Sequence, residues 1–206
     1  LACQGTEANI ISITKSMLDQ YKPEDLLLSV LPAPTSEEMF IGADIGFEAP
    51  TQIVSFRKDG NNFRQYFRVE LKDRIPYHVQ TGIIEMILGY YSNSCIGIDT
   101  TSDGGRAVAD MLRVKDILKT VEEGAPSRVV DVQFNSVVLK GYDKEGKEIK
   151  EKVKAFTSVK LNNMFSNRSL ILMSGDEDML EEFQLEAKRR TFLAKPYILL
   201  KAQTIS

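Results

Sequence analysis

Two aspartates close two apolar runs. Asp44 ends the run "MFIGAD" within "FIGADIGFEAPTQIVSF", residues 40–56, and Asp99 ends "SCIGID". An ionised carboxylate is costly to desolvate, so one at the tip of a buried strand is solvated, paired or bound to a cation. A single such residue reads as a solvated strand end. Two at matched ends, each after a Gly-containing apolar run, set a cation site beside that reading. Carboxylates on neighbouring strands about 5 Å apart repel unless they share a proton or a metal. Oxygen-only ligation, with no histidine nearby, favours Mg²⁺ or Mn²⁺ over zinc. Paired divalent ions roughly 4 Å apart serve phosphodiester hydrolysis, one activating water and the other stabilising the leaving oxygen.

The elements that must position the pair follow from periodicity. "MFIGADIG", "TQIVSFRK" and "FRQYFRVEL" read as strands of an antiparallel meander, with a turn at Asp59-Gly60-Asn61-Asn62. "PYHVQTGIIEMILGYYS" places Val79, Ile83, Ile84, Ile87 and Leu88 on one helical face after Pro76. "SCIGIDTT" is a fourth strand, "SDGGRAVADMLRVKDILKTVEE" a helix and "RVVDVQF" a fifth strand. A helix at "VKAFTSVKLNNMF", a strand "SLILM", an acidic helix "DEDMLEEFQLEAKRR" and a last strand "KPYILLKA" complete the reading. Residues 1–37, with Ile10, Ile13, Met17 and Leu18 near helical spacing, read as a mostly helical or irregular lead-in. With a right-handed crossover, strand 4 lies parallel beside strand 1, and both aspartates leave at the same end. Ligands of open α/β sheets bind at such carboxyl ends.

Composition narrows the classes. The 206 residues are 43% hydrophobic and carry a formal net charge of -3, so nucleic-acid binding requires a local basic patch. Cys3 and Cys95 form neither a disulfide framework nor a zinc site, which points to a reducing compartment. No apolar stretch approaches the roughly 18 residues that span a bilayer, and no charged segment precedes an apolar core at the N-terminus. A soluble, unsecreted protein is expected. The sequence opens without Met and stops just after an apolar run, so it reads as an excised fragment.

"GYDKEGKE", residues 141–148, nearly spells a phosphate-binding loop, but Glu148 stands where Ser or Thr is required. It reads as a hairpin turn. The surrounding Lys140, Lys144, Lys147, Lys150, Lys152 and Lys154 alternate with acids and form either a solvated face or a DNA-backbone contact. Lys147, Lys150 and Lys154 are candidate contacts there, with Arg57, Lys58, Arg64 and Arg68 of the meander as a second set. Asp103 is a possible auxiliary acid, although "TTSDGG" before a helix is first a cap and turn. His78, the only histidine, reads as structural, and covalent hydrolase chemistry is disfavoured.

Taken together, "FIGADIGFEAPTQIVSF", "SCIGIDTTSDGGRAVADML", "VVDVQF" and "KAFTSVKLNNMFSNRSLILMSGDEDMLEEFQ" resemble the nuclease domain of the large terminase subunit of tailed bacteriophages. The resemblance runs from about residue 5 to about residue 200. It implies an α/β, ribonuclease H-like (RuvC-like) fold with a mixed central sheet flanked by helices. Residues 38–206 would form that domain, and 1–37 the lead-in from an ATPase domain of the same full-length chain. The implied activity is metal-dependent endonucleolytic cleavage of double-stranded viral DNA concatemers during packaging, with Mg²⁺ or Mn²⁺ in a two-metal site. Asp44 and Asp99 correspond to the family's first two metal-binding, catalytic acids. Implied partners are double-stranded DNA, the ATPase domain, the small terminase subunit and the portal protein, with no membrane, in the host cytoplasm during phage assembly.

Two departures stand out. Relatives often carry an Asp before a Pro-Thr pair, where this chain has Ala49 before Pro50-Thr51, so that acid is absent or replaced by Glu48. The family's last acidic ligand follows the final hairpin, and this chain reaches Ser206 without it. A third ligand is therefore expected beyond Ser206. Asp176 and Asp178 read better as acids at a helix start. Two rival functions share these residues. "ADIGFEAPT" is also similar to the phosphate loop of actin-like nucleotide-binding domains, and a non-catalytic module docking on DNA or portal would keep the acids without the chemistry.

Overall fold

A computed structural model describes residues 9–114 and 127–184 of the protein. The lead-in holds β1 (Ile10–Ile13), α1 (Lys15–Gln20) and α2 (Pro23–Val30). The meander follows as β2 (Met39–Asp44), β3 (Thr51–Asp59) and β4 (Asn62–Leu71), then α3 (Tyr77–Tyr90), β5 (Ser94–Asp99) and α4 (Asp103–Val114). After these come β6 (Val129–Val132), β7 (Val137–Tyr142), β8 (Glu148–Lys152), α5 (Val153–Ser166) and β9 (Leu170–Ile171). Residues 177–184 are again helical.

The main sheet has the order β1-β4-β3-β2-β5-β6, with β9 also paired to β4. The meander is antiparallel, while β5 pairs parallel with β2 and β6 parallel with β5. An antiparallel meander extended by parallel strands beside its first member is the ribonuclease H-like arrangement, here with α/β layers. Alternation decides which side of each strand is covered. Met39, Ile41 and Ala43 of β2 are buried, whereas Gly42 and the terminal Asp44, on the alternate positions, are exposed. The buried face joins Ile53, Val69 and Ile98 to Ile84 of α3 and Leu112 of α4 in one core. Each such side chain contributes roughly 1.5–3 kcal/mol by leaving water. Arg128 ties the layers together, donating to the carbonyls of Leu88 at 2.8 Å, Tyr91 at 3.1 Å and Ser94 at 2.8 Å.

One expectation needs correcting. Residues 10–13 form a strand, pairing Ile10 with Arg68 and Ile13 with Leu71, where helical spacing was read. Ile11 and Ile13 are buried and Ser12 is exposed, so period two wins: the outer edge of β4 offers backbone partners that a helix cannot use. Leu27 and Leu31 of the lead-in also join the core. The lysine-rich stretch is a hairpin of β7 and β8, turned by Gly146 at φ +79° with the Asp143 carboxylate accepting from the amides of Glu145 and Lys147. "SLILM" contributes only the short β9. The strand expected at "KPYILLKA" and the ends of the "SDGG…" and acidic helices lie outside the described residues.

Candidate metal centre

β2 and β5 run in parallel register, with Ile41 opposite Ile96 and Ala43 opposite Ile98. One step further, Asp44 and Asp99 stand side by side at the two carboxyl ends. Adjacent strands are about 5 Å apart, within reach of one ion for two carboxylates. The backbone around each is held firmly. Gly46 after Asp44 accepts from the Gln80 amide at 2.8 Å and exchanges hydrogen bonds with the Thr51 hydroxyl, whose oxygen lies 2.7 Å from Gln80 Oε1. A Cβ at Gly46 would come within 2.1 Å of the Ala49 carbonyl oxygen, so only glycine closes this loop. On the other strand, the Asp99 carboxylate accepts from the Thr101 amide at 2.9 Å. Gly105 lets α4 approach so closely that a Cβ there would meet the Asp99 carbonyl oxygen at 1.8 Å.

Electrostatics match this geometry. The Asp44 carboxyl is pushed above its ordinary pKa, first by burial among the strand ends and second by the charge of Asp99. Asp44 itself remains exposed, so a small ion can reach it. Among the described residues neither aspartate has a lysine, arginine or histidine ion pair. The donor set is all oxygen and carries repelling charge, which suits one Mg²⁺ or Mn²⁺ completed by water or phosphate oxygens. Among the described residues no group of three or more His, Cys, Asp and Glu side chains assembles.

The other sequence candidates are elsewhere. Glu48 pairs with Arg74 rather than joining the two aspartates. Asp103 occupies the first turn of α4, where Ser102 caps by accepting from the Gly105 amide at 3.2 Å. Arg57, Lys58 and Arg64 are paired with Glu37, Glu38 and Asp59. Register puts Met39 opposite Arg57 and Asp44 opposite Gln52, so these cations lie roughly 16 Å along the strands from the acid end. Lys147, Lys150 and Lys154 belong to the β7–β8 hairpin and the start of α5, with Lys150 held by Glu148 at 2.6 Å. Asp176 is buried and caps the last helical segment, accepting from the Met179 amide, and with Asp178 it binds Arg68.

No family profile matches the sequence, and no curated protein does. Solved structures do. The chain is similar to the nuclease domains of large terminases. It aligns with the large terminase of a thermophilic bacteriophage at TM-score 0.46 and 7% identity, over 75% of this chain and 33% of that one. It thus spans about a third of that protein. It aligns with the P22 large terminase nuclease domain at TM-score 0.42 and 13% identity, covering 75% and 72%. The Mn-soaked human cytomegalovirus terminase nuclease domain aligns at TM-score 0.41 and 12% identity, covering 80% and 86%. Strand order and direction, independent of these matches, carry the fold.

Sequence reading missed two cations at the acid end. β4 runs antiparallel to β3, as β3 does to β2, so "KDR" after β4 emerges at the same end of the sheet as Asp44, two strands away. Lys72 and Arg74 there line an open depression of about 470 Å³ with Glu48, Pro50 and Asp73. Its lining includes neither Asp44 nor Asp99. Counting strand directions along the meander was the signal that would have found them.

Proposed function

We propose that this chain is a metal-dependent endonuclease domain that cuts double-stranded viral DNA concatemers while the genome is packaged into a capsid. One observation carries the reading: Asp44 and Asp99 lie side by side at the ends of adjacent parallel strands, with Asp44 raised in pKa partly by its neighbour. The resemblance of the four quoted stretches to phage terminase nucleases supports the substrate. Asp44 and Asp99 hold Mg²⁺ or Mn²⁺ between the strand ends. When bound, the cation supplies Lewis acidity, easing deprotonation of the attacking water and offsetting charge on the scissile phosphate. Arg74, in the loop after β4 at the same end of the sheet as the acids, and Lys147, Lys150 and Lys154 of the hairpin and α5 hold the DNA backbone. Phosphate contacts carry no base information, so cleavage shows little sequence preference. An ATPase domain of the same full-length chain, the small terminase subunit and the portal are its partners, in the host cytoplasm during assembly. No helix of the described residues is long and apolar enough to cross a membrane.

Conversion of supercoiled plasmid to nicked and linear forms in Mn²⁺ tests this. Asp44→Asn and Asp99→Asn should each abolish cleavage while leaving the circular dichroism spectrum unchanged; cleavage by either purified variant overturns the assignment. A second reading, a non-catalytic module docking on DNA or the portal, keeps the same acids without the chemistry. It predicts DNA retention without Mn²⁺-dependent cleavage by the native chain.

A further inference from the structure

One row of side chains crosses the open face of the sheet at the level of the acid pair. Asp99 and Asp44 are followed by Gln52, directly opposite Asp44 on β3, by Glu70 opposite Gln52 on β4, and by Ser12 opposite Glu70 on β1. Gln52 Nε2 donates to Glu70 Oε1 at 3.1 Å. Glu70 also accepts from the Ser12 hydroxyl at 3.2 Å and pairs with Lys72 at 3.0 Å. An ionised carboxylate only accepts, so it commits the amide: the nitrogen end goes to Glu70 and the oxygen end is left over. Gln52 Oε1 is shielded from solvent and has no hydrogen-bond partner. Buried acceptors are rarely left so.

We propose that Gln52 Oε1 is a third, neutral oxygen donor to the cation held by Asp44 and Asp99, with Glu70 as the positioning residue that orients the amide. The proposal rests on the cation site advanced above. It supplies a third ligand of a kind that a search for acids overlooks, and the Ser12, Lys72 and Glu70 contacts gain a role as its support.

The test is Mn²⁺ titration calorimetry with water-proton relaxation on the 206-residue chain and its Asp44→Asn, Gln52→Met and Glu70→Gln variants. Gln52→Met should weaken Mn²⁺ binding about tenfold, the scale of lost support at metal sites, and add one water to the bound ion. Glu70→Gln keeps the donor but frees the amide to flip, so it should weaken binding by a smaller factor, a result that stands even where Gln52→Met fails to fold. Native affinity and hydration in both variants, with Asp44→Asn defective, overturn the proposal alone. Equal binding by Asp44→Asn, or no binding by the native chain, overturns the cation site and the proposal together.

Discussion

Two acid pairs lie on the same face of one sheet and are treated in opposite ways. Asp176 is 2% exposed, yet it accepts from Gln65 at 2.6 Å and lies 3.1 Å from the Arg68 guanidinium, which also holds Asp178 at 3.0 Å. Asp44 and Asp99 stand on the same pleat face, because Arg68 is opposite Val54, and Val54 and Gln52 face the same way. Among the described residues they have no cationic partner, and each other's charge is part of their surroundings. The difference is one of charge balance. A carboxylate that holds the fold together is neutralised by the chain itself, whereas one kept for a ligand is left with its field unspent.

The comparison can be broken most forcefully at Arg68. Arg68→Met leaves Asp176 buried without its counter-charge, so denaturant unfolding should show a loss of about 3–5 kcal/mol. Little change would mean that the second pair is no more structural than the first. Charge removal at the first pair should do the reverse. The folded-state pKa of Asp44 is raised, so between the ordinary value of 3.8 and that higher value the folded chain binds more protons than the unfolded one. Stability contributed by this group is therefore greatest at low pH and falls as pH rises through the folded pKa. Asp44→Asn should raise the melting temperature slightly at neutral pH and flatten its acid-side pH dependence; a lower melting temperature contradicts the repulsion. The smallest effect is expected away from both pairs. Lys147→Ala with Lys154→Ala should leave the melting temperature unchanged, and weaken plasmid binding with a shallower salt dependence by about one or two phosphate contacts.

The acid pair was legible because a carboxylate ending an apolar, period-two run marks a strand tip, and chain order with handedness makes two such tips neighbours. Asp103 in the first turn of α4 and the 141–148 turn were legible for the same local reasons. Long-range pairing was not. The ion pairs of Arg57, Lys58 and Arg64 are invisible in the sequence because Glu37 and Glu38 meet Arg57 and Lys58 only once β2 and β3 are in register. The strand at 10–13 was hidden because Ile10, Ile13 and Met17 satisfy helical spacing, and only the waiting edge of β4 decides. Gln52 escaped notice because its unpaired oxygen exists only through the Glu70 contact that orients it.

The most direct measurement is anomalous scattering from a crystal of this chain soaked in Mn²⁺. A peak is expected between the carboxylates of Asp44 and Asp99. A well-ordered acid pair with no peak, or Mn²⁺ bound at Asp176 and Asp178 instead, contradicts it.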